Sequence, residues 1–151
     1  MKKDVKLYNV LFPLWMLLMF PVTWLFVLPG NFLIDSLVLV ISMYALGIYQ
    51  KKEFYKKSIL KIFIIGIFSD VIGSLYMLIN VLLEVGHMAD EWYITVPGIL
   101  ISAVLIFVLN YYITFRNIDK KTRVLLSLIF AIVTAPYTFL VPSRWLYNQN
   151  H

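Results

Sequence analysis

The chain has 151 residues, of which 62% are apolar and 14% charged, a formal charge of +5 and no cysteine. A soluble domain carries roughly 25% charged residues and buries only about two-thirds of the surface its unfolded chain exposes. This composition therefore excludes an ordinary water-soluble fold, and the missing cysteines exclude disulfides, thiol nucleophiles and thiolate metal sites.

A hydrocarbon core about 30 Å thick takes roughly 20 apolar residues of helix to cross. No charge occurs between Lys6 and Asp35, and residues 7–28 predict the first span. Its basic start resembles a secretion signal, but the run is too long and too aromatic and lacks a small-residue cleavage site, so it is expected to stay as an anchor. Pro29, Gly30 and Asn31 follow as helix breakers and predict a tight turn, with Asn31 as N-cap of a second span over 32–49. A third span is expected over 59–83, a fourth over 94–115 and a fifth over 124–141. The reading is all-α: one integral membrane domain, 1–151, built as a five-span helix bundle with no metal or other cofactor. Helices are required because lipid offers no partners to an open backbone. The runs are continuously apolar, whereas a barrel needs short alternating segments.

Orientation follows from the basic residues. Lys2, Lys3 and Lys6 open the chain; Lys51, Lys52, Lys56, Lys57 and Lys61 lie around the second connection; Arg116, Lys120, Lys121 and Arg123 lie around the fourth. With five spans, 12 of the 13 basic residues share one side, and Arg144 alone is opposite. By the positive-inside rule the N-terminus is cytoplasmic and the C-terminus outside, as a multi-pass protein of the cell membrane. The same clusters could rest on anionic headgroups, and nothing in them points to nucleic acid.

Asp70 is the residue to single out. It lies nine residues beyond Lys61, about 13 Å into the third span. A charged group at such depth costs about 2.5–3.5 kcal/mol and as a rule faces the bundle interior. Gly66, Asp70, Gly73, Met77 and Glu84 share one helical face, with Ser69 and Asn80 at its edge, and the glycines let a second helix pack closely. Asn110 is expected at a similar depth on the fourth span, with Ser102, Ser127 and Tyr44 in reach. Two roles for Asp70 stay open: a proton or cation relay, or a hydrogen bond that holds two helices together.

A second polar group is expected at the outer face: Asp35 in the first turn of the second span, with His87, Asp90 and Glu91 in the third connection. Glu84 and His87 stand three apart, half of a helical metal motif, but Gly86 interrupts the helix and a solvated loop is the simpler expectation. Asp35 and Asp70 would then lie at different depths. Pro13, Pro21 and Pro136 are expected to kink the first and last spans. The chain has no nucleophile elbow, phosphate loop or zinc-protease motif, so no enzyme is expected. Two functional classes follow. One is a small channel or transporter using Asp70; the other is a non-catalytic accessory subunit. A chain this small is expected to self-associate or to join a larger membrane partner.

Overall fold

A computed structural model of the chain describes residues 21–83 and 92–140. They form four α-helices in chain order: α1 Pro21–Ala45, α2 Lys51–Leu82, α3 Trp92–Leu109 and α4 Lys120–Val133. α3 continues into a π-helical turn, Asn110–Thr114, and α4 is followed by a 3-10 turn, Tyr137–Leu140. No strand occurs among the described residues. Among the described residues three helices (α1, α2 and α3 with its π turn) are long and apolar enough to cross a membrane.

Five spans are not supported, and the reason lies at Pro29. The predicted turn at Pro29, Gly30 and Asn31 does not form; α1 runs through it without a break for 25 residues. A proline in a helix forfeits one backbone hydrogen bond, whereas a turn flanked by lipid strands several N–H and C=O groups at several kcal/mol each. The helix is the cheaper solution. The true stop comes later, at Gly47. There the Gly47 N–H bonds to Tyr44 O and the Ile48 N–H to Met43 O, while Gly47 takes φ +62°. This double bond with a left-handed glycine closes helices in the Schellman motif. Its usual apolar contact is present, since Ile48 packs on the cluster containing Met43.

α4 also departs from expectation. It starts at an N-cap, with the Thr122 N–H donating to the Asp119 carboxylate at 3.0 Å. It ends at Val133, three residues before Pro136, because proline disfavours the helical conformation of the residue before it. Pro136 therefore terminates this helix instead of kinking it. Its 14 residues extend about 21 Å, short of a hydrocarbon core.

The helices run as an antiparallel series. Phe32 meets Phe63 edge to face, and Ser36 hydrogen-bonds Tyr55 at 2.7 Å, joining α1 to α2. Ser102 on α3 donates to Ser69 O on α2 at 2.9 Å, and Gly98 lies against Met77. Phe115 packs on Phe54 and Phe130, linking the ends of α2, α3 and α4. This alternation brings Lys51 to Lys61 and Arg116 to Arg123 to the same end of the bundle.

Which side chains face inward is the second membrane signature. Leu25, Phe26, Leu37, Ile41, Ile64, Phe68, Leu100 and Val104 are exposed on the outer faces, while Ser42, Ser58, Ser69, Ser74, Thr95, Ser102, Asn110 and Ser127 are buried among Leu39, Ile62, Met77, Ile106, Leu126 and Phe130. In water such an exposed surface would drive aggregation. In lipid the tails are as apolar as leucine, so helices associate through close packing of small residues and interhelical hydrogen bonds.

Candidate functional site

Because α1 is continuous, Asp35 is neither in a first turn nor at an outer face. It stands ten residues before Ala45, about 15 Å from the basic end, and its side chain is only 4% exposed. Asp70 stands nineteen residues beyond the start of α2 at Lys51, about 28 Å along that helix, and nine residues beyond Lys61. The two carboxylates, expected at different depths, come within electrostatic range of one another.

Local sequence makes this approach possible. Gly66 lies one turn before Asp70, and a Cβ added to Gly66 would stand 3.6 Å from Asp35 Oδ2. The missing side chain leaves room for the Asp35 carboxylate against the α2 backbone. On the flank toward α3, Ser102 donates to Ser69 O, and the Ser74 hydroxyl bonds back to Asp70 O at 2.8 Å. Gly73 is buried on the same helix. Further along, a Cβ on Gly98 would come within 3.2 Å of Met77, so α2 and α3 are in tight contact there.

The electrostatics of the pair are unbalanced. Among the described residues the only ion pair is Lys57 with Glu53, at 2.7 Å on the exposed start of α2. Neither Asp35 nor Asp70 has a basic partner among the described residues. Asp70 Oδ1 and Ser69 Oγ are buried without any hydrogen-bond partner among the described residues. Buried polar atoms are nearly always paired in proteins, and an exception marks a strained site or one that takes a ligand. Two carboxylates with spare lone pairs, beside hydroxyls and backbone carbonyls, can take up a proton or coordinate a cation through oxygen.

The other candidates do not join this pair. Asn110 is fully buried, but it lies eight residues beyond Ser102, about 12 Å nearer the basic end, and so not at the depth of Asp70. Its Oδ1 accepts from the Thr114 hydroxyl at 2.8 Å, and its Nδ2 is buried without a partner among the described residues. Asn80 lies ten residues from Asp70 toward the other end, and its amide bonds back to Tyr76 O at 2.8 Å. Ser127 is buried on α4, with its hydroxyl unpartnered among the described residues. Tyr44 is exposed at the basic end, with the Lys51 ammonium 4.0 Å above its ring. Glu84, His87, Asp90 and Glu91 lie outside the described residues. No group of three metal-binding side chains occurs among the described residues.

Asp35 is the residue that sequence reasoning misplaced. Its depth was hidden by the breaker pair Pro29-Gly30, although an alternative signal was present: no charge interrupts the run from Leu7 to Ile34. No family model, curated protein or solved structure matches this chain.

Proposed function

We propose that this protein is a multi-pass membrane protein that takes up and passes protons or small cations at the Asp35–Asp70 pair. One observation carries the reading: a buried carboxylate, Asp35, and a second, Asp70, whose Oδ1 is buried and unpartnered, stand on neighbouring helices within electrostatic range of one another, without a basic counter-charge among the described residues. A bare charge in lipid costs about 2.5–3.5 kcal/mol, and intramembrane ionisable residues mark ion and proton pathways. Two like charges side by side add repulsion, which a shared proton or bound cation relieves. A purely structural role would be served at lower cost by a neutral amide or hydroxyl, as Ser102 already serves at the neighbouring Ser69 carbonyl.

The positive-inside rule sets the basic end in the cytoplasm, which puts the pair in the inner half of a cell membrane. The four described helices enclose little space, so the pathway is completed by further copies of the chain or by a larger membrane partner. The reading involves transfer of ions and no covalent chemistry.

The test is flux in proteoliposomes under an imposed proton or monovalent-cation gradient. Wild type should dissipate the gradient, and Asp35→Asn and Asp70→Asn should each abolish this while retaining helical content. Wild-type flux no greater than that of empty liposomes would overturn the proposal. If a stable larger complex then survives gentle extraction, the protein is an accessory subunit whose polar residues hold helices together.

A further inference from the structure

We propose that the basic end of α3 and α4 binds the phosphate of an anionic phospholipid headgroup, with Arg123 as its fixed donor. The site is built by the π turn. There the Phe115 N–H bonds to Asn110 O at 2.9 Å, one residue further back than in an α-helix, so it is diverted from Tyr111 O. Arg123 Nε donates to that freed Tyr111 carbonyl at 2.5 Å. The guanidinium also stacks 3.8 Å from the Tyr111 ring centre and 5.7 Å from that of Tyr112. π turns of this kind recur at functional sites.

Arg123 is thereby pinned through one nitrogen, while its two terminal Nη groups keep the paired N–H donors that match phosphate geometry. No carboxylate pairs with it among the described residues. Asp119, four residues earlier, is engaged in capping the Thr122 N–H. Arg116, Lys120 and Lys121 are exposed around the same turn and add positive charge. Orientation bias alone requires only charge near the surface, and a flexible lysine would satisfy it. A guanidinium held by a backbone carbonyl and an aromatic face is a geometric device.

The neighbouring surface decides for a lipid over a soluble anion. Tyr112 and Ile113 are 63% and 51% exposed on the same turn, and Val104 and Val108 continue the exposed strip along α3. A headgroup on Arg123 would lie with its acyl chains along this strip, and tyrosines favour that interfacial level. The inference rests on membrane embedding and is independent of ion handling by the carboxylate pair.

The experiment is thermal unfolding of the full chain in phosphatidylcholine nanodiscs with rising mole fractions of phosphatidylglycerol. The wild-type Tm should rise with phosphatidylglycerol. The half-effect fraction should increase roughly fivefold in Arg123→Gln, the effect of one basic residue at a membrane surface. Lys57→Gln, which removes a lysine already paired with Glu53, should leave it unchanged. The exposed double variant Lys120→Gln/Lys121→Gln should also shift the midpoint and serves if Arg123→Gln does not fold. Equal midpoints for the wild type and these site variants would overturn the proposal. An equal Tm rise from inorganic phosphate in pure phosphatidylcholine discs would also overturn it, because the ligand would then be a soluble anion.

Discussion

Replacing Asp70 by asparagine should stabilise the protein, and the size of the gain follows from its surroundings. The substitution is nearly isosteric, so local packing is kept. It removes a charge whose placement in lipid costs about 2.5–3.5 kcal/mol. The amide remains a buried polar group, which retains a cost of about 1–3 kcal/mol. Little is lost in exchange, because Asp70 Oδ1 has no hydrogen-bond partner among the described residues and no ion pair is broken. The net gain is then about 1–2 kcal/mol, or roughly 2–8 °C in Tm at the 2–4 °C per kcal/mol of a chain this size. Asp35→Asn should act in the same direction. The double variant should gain less than the sum, since either single change already removes the repulsion between the carboxylates. Thermal unfolding of all four proteins in zwitterionic nanodiscs at pH 8, followed by circular dichroism, completes the cycle. A loss of stability in Asp70→Asn would show that the carboxylate is structural glue. Additivity within about 0.3 kcal/mol would show that the two groups do not sense each other.

Gly47→Ala should cost about 1–2 kcal/mol in the same assay, the strain of a Cβ in the left-handed region. Open space surrounds the position, with nothing within 4 Å of an added Cβ, so a loss there can be assigned to backbone conformation alone. Asp119→Ala should destabilise the start of α4, whereas Asp119→Asn should not, because asparagine is an equally good N-cap. The Thr122 N–H and Thr122 hydroxyl hold the Asp119 carboxyl below its ordinary value. A depressed value means that its contribution is complete above the unfolded value of about 3.9 and fades as pH falls through the folded one. Wild-type α4 should therefore lose this capping below about pH 4, while the asparagine variant shows no such step in a pH series of melts.

Much of the architecture was open to reading along the chain. Membrane helices follow from composition, because 62% apolar residues in 151 cannot be hidden from water in a single small domain. The fourth predicted span agrees closely with α3 and its π turn, since Trp92 to Thr114 is one uncharged run. The third agrees apart from its start, where helix propensity carries α2 through the solvated lysines back to Lys51. The role of Gly66 as a place of close approach was also legible, from its spacing four residues before Asp70. Helix punctuation failed at two prolines for opposite reasons. At Pro29 the apolar surroundings make a turn dearer than a broken hydrogen bond, and the helix continues. At Pro136 the polar Thr134 bonds back to Phe130 O at 2.7 Å and the helix ends.

The sequence by itself determined the solvent, the helical class and the end of the bundle that carries the charge, because these depend on sums over many residues. Only the tertiary structure decided that Asp35 comes within electrostatic range of Asp70 and that Arg123 reaches the Tyr111 carbonyl. Both pairings join residues on different elements, and a single local choice, helix or turn at Pro29, shifts Asp35 between an outer rim and the buried interior. Local propensity at such a point is worth about 3 kcal/mol, less than the cost of the several backbone groups that a turn would leave unpaired in lipid, and the helix continues.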